Sequence, residues 1–123
     1  MSKHRWESAD EAWEVGARAQ EQGKLLLALE AYEYAARRGH VAAQINLGNI
    51  LDDEISPANP AAAVYWYMEA ARQGESVAAW NLAMHFKRQN DSHHFVYWLQ
   101  VAAQRGDTDA QEVLRGNPSE KPQ

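Results

Sequence analysis

The sequence predicts an all-α protein built from repeated helical hairpins, and its internal repeats lead to that prediction. Three segments align on Gly39, Gly74 and Gly106, which follow one another at intervals of 35 and 32 residues. In each segment an Ala pair ends three residues before the Gly, an Ala follows it by four residues, and a Leu follows it by eight. Repeats of about 20 to 50 residues are typical of stacked arrays, in which each unit buries its apolar face against the next.

Each repeat is interpreted as two helices joined at the Gly. The Ala pair gives the helix before the Gly a face of small residues that a neighbouring helix can approach closely. Gly is the residue preferred where a helix ends in a left-handed cap. After it, Ala and Leu four residues apart lie on one face of a second helix. We call the helix after each Gly type A and the helix before it type B.

Start and stop signals divide the chain into seven helices. Ser8 and Glu11 form a capping-box pattern at the first A helix, and Gly23 ends that helix. Asn59 and Pro60 suit the N-cap and first position of the second B helix. The predicted helices cover 9–22, 25–38, 40–51, 60–73, 76–88, 92–105 and 108–115, with a loop over 52–59. Residues 8–116 are thus expected to form the repeat domain, between an N-terminal tail (1–7) and a flexible C-terminal tail (117–123).

The composition favours an ordinary globular protein. Of 123 residues, 46% are hydrophobic and 24% are charged, and no cysteine is present, which excludes disulfides and thiolate metal sites. No apolar run suits a secretory leader or a membrane span, so a cytoplasmic location is expected. The net charge is -5, and the first 60 residues hold ten acidic and six basic side chains. This balance argues against nucleic acid as the partner.

The repeats resemble the Sel-one-like repeat, a relative of the tetratricopeptide repeat. The residues that carry the resemblance are Ala63, Trp66-Tyr67, Ala70-Ala71 and Gly74 in a B helix and turn, with Asn46-Leu47-Gly48 and Asn81-Leu82-Ala83 in A helices. The resemblance covers residues 9–114. Three features depart from the pattern: Ala83 replaces a Gly, the loops 52–59 and 89–91 lack Gly, and the turn at Gly23 is closer to a tetratricopeptide unit. The resemblance implies a right-handed α-solenoid of about three A/B pairs with a short C-terminal capping helix.

Membership of that family would place the A helices on the concave side, where they would line a partner-binding groove. The implied groove residues are Trp13, Gln20, Ile45, Asn46, Asn49, Val77, Trp80, Asn81, Met84 and Lys87. Large apolar side chains form its floor, and Trp and Met are typical of protein-binding surfaces. A second interpretation stays open: a helical Trp is more often core, which is favoured for Trp66 and Trp98 on B helices and equally open for Trp13 and Trp80. The groove asparagines also suit capping or bridging between helices.

The sequence offers no recognisable catalytic or metal-binding motif. None of the five histidines has the i, i+4 spacing of a helical metal site, and only an approach of His85 to His94 across a hairpin remains open. The acidic run at residues 52–54 is contiguous and lacks the Gly of a calcium loop, so it is interpreted as solvated. We therefore expect no enzymatic activity, no metal and no cofactor.

The expected function is a non-enzymatic scaffold or adaptor that binds a segment of a partner protein in the groove. An inhibitor or immunity-type protein is one form of that function. The acidic first half favours a basic partner through electrostatic steering, and neither nucleic acid nor membrane is expected as a partner. The alternative is a self-associating structural repeat protein with Trp6 and Trp13 at a dimer surface. A monomer or a weak homodimer is expected.

Overall fold

In the computed structural model, which describes residues 5–116, the chain is all-α and has no strand in that range. The all-α prediction is confirmed. Seven α-helices occur in these residues: α1 Ala9–Glu21, α2 Leu25–Arg37, α3 Val41–Asn49, α4 Pro60–Arg72, α5 Ser76–Arg88, α6 Ser92–Gln104 and α7 Thr108–Leu114. No helix within the described range has the length and apolar character to cross a membrane. The C-terminal tail predicted over 117–123 lies outside the described residues, as do residues 1–4 of the predicted N-terminal tail.

Six predicted helices agree with the structure to within one residue at each end, and the second A helix does not. α3 ends at Asn49, and the chain continues through a π-helical turn, Ile50–Glu54, where the sequence predicted a loop from residue 52 onward. The Ile55 N–H donates to the Ile50 carbonyl at 3.1 Å, five residues back, as a π-helix requires. Ile50 and Leu51 are buried, so apolar burial keeps the chain wound where the polar residues alone suggested a loop.

The predicted N-caps are confirmed. The Ser8 hydroxyl accepts the Glu11 N–H at 3.1 Å, and the Glu11 carboxylate accepts the N–H of Glu7 at 2.8 Å. At α4 the Asn59 side-chain oxygen accepts the Ala62 N–H at 3.3 Å. These bonds satisfy backbone donors that have no partner within the helix.

The left-handed helix ends are also confirmed, and one of them uses Asn. The predicted Gly positions have φ between 76° and 100°, and Asn90, after α5, has φ 60°. Asn tolerates this conformation better than most residues because its side chain can bond locally. The Asp91 N–H donates to the Phe86 carbonyl at 2.9 Å, five residues back, and the His40 N–H donates to the Ala35 carbonyl at 3.1 Å in the same way. Asn90 therefore replaces the Gly that the loop 89–91 lacks.

The helices form two compact units, Met1–Glu69 and Ala70–Gln123, and the division falls within α4. In the first unit α1 packs on α2 and α2 packs on α3, around buried Ala residues with Tyr32, Leu47 and Ile50 among the largest fully buried side chains. In the second unit α5 packs on α6 and α6 on α7, around Leu99 and a cluster of buried Ala. Sequential packing of neighbouring helices is what the repeat prediction required.

A glutamine on two A helices binds the end of the preceding B helix. Gln44 Nε2 donates to the Ala36 carbonyl at 3.1 Å, and Gln111 Nε2 donates to the Ala103 carbonyl at 3.0 Å. Both glutamines stand five residues after the repeat Gly, and both carbonyls stand three residues before it. The bond joins the two helices on either side of the turn and adds a second donor to a carbonyl that already accepts the N–H of the repeat Gly.

In the remaining repeat, the carbonyl three residues before the Gly also accepts a side-chain hydrogen bond, but the donor follows a different helix. Ala79 stands where the glutamines stand in the other repeats, and it cannot donate a side-chain hydrogen bond. The equivalent Ala71 carbonyl accepts instead from Nη1 of Arg105, the residue that caps the C-terminal end of α6, at 2.6 Å. Sequence analysis missed all three donors, although the repeated Gln at one register position was a usable signal.

Candidate partner-binding surface

Two tyrosines of B helices lie directly on glycines of A helices in the first unit. A Cβ atom at Gly16 would be 2.6 Å from the Tyr32 ring, and one at Gly48 would be 2.6 Å from the Tyr67 ring. Distances below 3.0 Å are not tolerated without movement, and both tyrosines are buried. Gly16 and Gly48 therefore allow a tyrosine ring to pack closely on the A helix, and the phenol hydroxyl can then reach beyond that helix.

Each phenol ends on a residue predicted to line the groove. The Tyr32 hydroxyl donates to Gln20 Oε1 at 2.8 Å, and the Tyr67 hydroxyl donates to Asn49 Oδ1 at 2.6 Å. Both acceptors are half-buried. Gln20 and Asn49 are thus held by the helix behind them, and this bond reduces their freedom to rearrange around a ligand.

Trp13 joins α1 to α3. Its Nε1–H donates to Asn46 Oδ1 at 2.8 Å, and its ring stacks on His40 with centroids 5.5 Å apart and an interplanar angle of 18°. His40 is the N-cap of α3, since its Nδ1 accepts the Ala43 N–H at 3.1 Å, and its Nε2 lies 3.1 Å from Asp10 Oδ1. The structure brings the predicted residues Trp13 and Asn46 together. Sequence analysis missed His40, which its position directly after a repeat Gly could have marked as a cap.

A chain of hydrogen bonds runs from α2 through α1 to the π turn. Gln20 accepts from Tyr32, and its Nε2 donates to the Glu54 carboxylate at 3.2 and 3.3 Å. The pKa of Tyr32 is raised above its ordinary value by burial first, and then by the negative charges of Glu54 and Glu21. Glu54 and Glu21 are exposed. The Glu54 carboxylate thus lies at the Gln20 end of the α1–α3 face, and Glu21 directly follows Gln20 on α1.

The predicted groove residues of the second unit all lie on α5: Val77, Trp80, Asn81, Met84 and Lys87. Trp80 and Met84 are half-buried and pack against the Ala and Leu99 cluster, so part of each side chain belongs to the core. Val77 and Lys87 are exposed, with Lys87 Nζ 5.8 Å from the Phe95 ring centroid. The core interpretation thus fits the packed part of the Trp80 side chain, and the groove interpretation fits its exposed part.

Exposed aromatic residues occur on the B helices. Tyr65 stands edge-on to Trp66 at 4.8 Å, and Tyr97 stands edge-on to Trp98 at 4.9 Å. The two tyrosines are 55% and 53% exposed, whereas the two tryptophans are half-buried. Met68 on α4 is also exposed. Sequence analysis favoured a core position for Trp66 and Trp98 and made no prediction for the two exposed tyrosines.

Trp6 is not available for the dimer surface that the sequence suggested. Its ring is 8% exposed and packs edge-on against Tyr34 at 5.2 Å, and the Tyr34 hydroxyl donates to the Trp6 carbonyl at 2.9 Å. Arg5 lies over the Trp6 ring and pairs with Glu30 at 2.6 Å. These contacts attach residues 5 and 6, part of the predicted tail, to α2.

The histidines and carboxylates of the described residues form no group of three that could hold a metal ion. His85 is buried, and its neighbour Phe86 is the residue that stacks on His94, with ring centroids 4.9 Å apart. Asp91 caps α6 by accepting the His94 N–H at 3.1 Å. That backbone hydrogen bond is the main reason why the pKa of Asp91 lies below its ordinary value, followed by the bond to the His94 side chain.

Comparison with known proteins finds no protein-family model and no curated protein that matches the chain. The resemblance to Sel-one-like repeats therefore rests on the motif residues of the chain itself. Because a fold alone does not imply a function, the evidence for function lies in two surfaces: the one formed by α1, α3 and the π turn, and that of α5.

Proposed function

We propose that this chain is a non-enzymatic interaction scaffold or adaptor of the Sel-one-like type, which binds a segment of a partner protein on its A helices. The observation that carries the proposal is the half-buried Trp13, fixed between Asn46 and His40 at the α1–α3 face. Binding energy in protein interfaces is concentrated in a few Trp, Tyr and Arg side chains. An anchor that is already ordered loses little entropy on binding.

The polar groups of this face support binding rather than chemistry. His40 uses one ring nitrogen as a helix cap and the other toward Asp10, and Gln20 and Asn49 accept from buried tyrosines. Each of these groups positions a neighbour. The half-buried Ile45 adds apolar surface on α3. The proposal includes no catalytic step, and it places the protein in the cytoplasm, which a fluorescent fusion in the native host would check.

The experiment selects peptides from a displayed random library on the immobilised full-length chain and measures their affinity for variants. Trp13→Ala should weaken the binding of peptides that occupy the α1–α3 face by at least about 30-fold, the effect of losing an interface anchor. Trp80→Ala should do the same for peptides that occupy α5. Tyr97→Ala, an exposed aromatic on a B helix, is the matched control and should bind as the wild type does. Circular dichroism and thermal melting check the fold, and Trp13→Phe provides a milder variant.

The proposal is wrong if folded Trp13→Ala and Trp80→Ala proteins bind the selected peptides as tightly as the wild type. Loss of binding in Tyr97→Ala alone would instead move the binding surface to the B helices. Both outcomes can be read directly from the same affinity series.

One observation favours the alternative, a self-associating structural repeat protein. Tyr65 and Met68 are exposed one helical turn apart on α4, and Val96 and Tyr97 are exposed on α6. Exposed apolar patches often mark protein contacts. Light scattering at several concentrations tests this function, because a self-associating protein gains mass with concentration and Tyr65→Ala or Tyr97→Ala should suppress that gain. A constant monomer mass at all concentrations would contradict the self-association function.

A further inference from the structure

Acidic side chains stand at both ends of the α1–α3 face in the first unit. At one end the Asp10 side chain, which is 88% exposed, approaches His40 Nε2. At the other end Gln20 Nε2 donates to the exposed Glu54 carboxylate, and the exposed Glu21 directly follows Gln20 on α1. Asp10 has the His40 imidazole as its partner, and Glu54 has the Gln20 amide. The carboxylates of Asp10, Glu21 and Glu54 are exposed, so their negative charge faces solvent.

Apolar surface lies between the two acidic ends. Trp13 is one turn from Asp10 on α1, and Ile45 is adjacent in sequence to Asn46, which binds the Trp13 ring. Both apolar side chains are half-buried. An occupant that suits this face has an apolar residue in its middle and positive charge on each side.

The helix sets the spacing that the occupant must satisfy. Glu21 stands eleven positions after Asp10 on α1, and a rise of 1.5 Å per residue gives about 16 Å between the two ends. An extended peptide advances about 3.3 Å per residue, so about five residues span that distance.

We propose that the α1–α3 face binds an extended segment of a partner protein with two Lys or Arg residues about five positions apart and an apolar residue between them. This inference rests on the proposed function and adds the chemistry of the partner. The charge of the chain agrees with it, because the net charge is -5 and the first 60 residues hold most of the acidic excess. Electrostatic attraction of this kind increases the association rate and selects against acidic segments.

The test uses peptides selected on the full-length chain from the displayed random library. Expected sequences carry two basic residues about five positions apart around an apolar residue. Glu21→Gln combined with Glu54→Gln should weaken their binding by about three- to tenfold, the range for two exposed ion pairs. Gln in place of Glu54 keeps an acceptor for Gln20, so the hydrogen-bond chain is retained. Added salt should weaken wild-type binding more than binding to the double variant.

The matched control is Glu75→Gln combined with Glu112→Gln. Both carboxylates are exposed in the second unit, and the pair changes the net charge by the same amount. The inference is overturned if selected peptides depend on Trp13 but show no basic pair, or if they bind both double variants equally; the scaffold function then stands. If no selected peptide depends on Trp13 or Trp80, the proposed function itself fails.

Discussion

Tyr67 Cε1 of α4 stands 2.6 Å from the position that a Cβ atom at Gly48 of α3 would occupy. The corresponding positions in the next repeat hold Ala83 and Leu99, which share one buried cluster. In that repeat the A helix thus carries Ala in place of Gly, and the B helix carries Leu in place of the larger Tyr. The departure of Ala83 from the family pattern is matched by a change at its contact position.

This relationship predicts that Gly48→Ala destabilises the protein by about 1–3 kcal/mol, because the buried Tyr67 ring has no room to move away. Tyr67→Leu alone should also destabilise, through a cavity and the lost bond to Asn49. The combined variant should be more stable than the sum of the two losses implies, since it copies the Ala83 and Leu99 pair. Urea unfolding of the four proteins gives the coupling energy, and simple additivity would contradict the prediction.

Gln44 should contribute through its hydrogen bond rather than its volume. It is 3% exposed and donates to the Ala36 carbonyl, so Gln44→Met keeps the packing and leaves a buried carbonyl with one fewer donor. Because the Ala36 carbonyl still accepts the Gly39 N–H, we expect a loss of about 0.5–1.5 kcal/mol in the free energy of unfolding. Gln100→Met, at an exposed position of α6, is the control and should change stability little. Equal stability of the two variants would show that this bond contributes nothing net.

The bond between Trp13 and Asn46 should be measurable as a coupling. Trp13→Phe removes the indole donor, and Asn46→Ala removes the acceptor. Thermal or urea unfolding of both single variants and the double variant should give a coupling energy of about 1 kcal/mol. Asn46→Ala should also weaken binding of the selected peptides, because Asn46 no longer holds the Trp13 ring. A coupling near zero would mean that stacking on His40 alone orients Trp13.

Asp91 should make stability depend on pH in the acid range. Its pKa is lowered in the folded protein, so its stabilising effect is present above the ordinary value of about 3.8 and is lost as the pH falls through the folded-state pKa. The stability difference between the wild type and Asp91→Ala should therefore shrink when urea unfolding is followed from about pH 6 to about pH 2. Asn59→Ala removes an uncharged cap, and its cost should stay nearly constant. A constant difference for Asp91→Ala would refute the assignment.

Most of the helix pattern could be predicted because its signals are local. A Gly that ends a helix and an Asn before Pro act within a few residues, so the order of residues in the chain is sufficient to read them. The π turn could not be predicted this way. Its residues 52–54 are acidic, and the reason why they stay helical is the burial of Ile50 and Leu51, which depends on distant parts of the chain.

Sequence analysis predicted which residues belong to the candidate site but not the contacts between them. Sequence analysis placed Trp13, Gln20, Asn46 and Asn49 on one surface, but it could not show that Trp13 binds Asn46 or that tyrosines of the B helices hold the other two. It also made no prediction for Tyr65 and Tyr97, which are exposed. Exposure depends on which neighbours cover a helix face, and the repeat pattern is the same for covered and uncovered faces.

The amino-acid sequence by itself determined that this protein is helical, where most helices begin and end, and which positions repeat, because capping and helical periodicity are properties of short segments. Only the tertiary structure decided which carbonyl each Gln or Arg satisfies, which ring lies on which Gly, and where the Glu54 carboxylate of the π turn meets Gln20 of α1. Those outcomes depend on distances between residues far apart in the chain, and such distances exist only once the helices have packed.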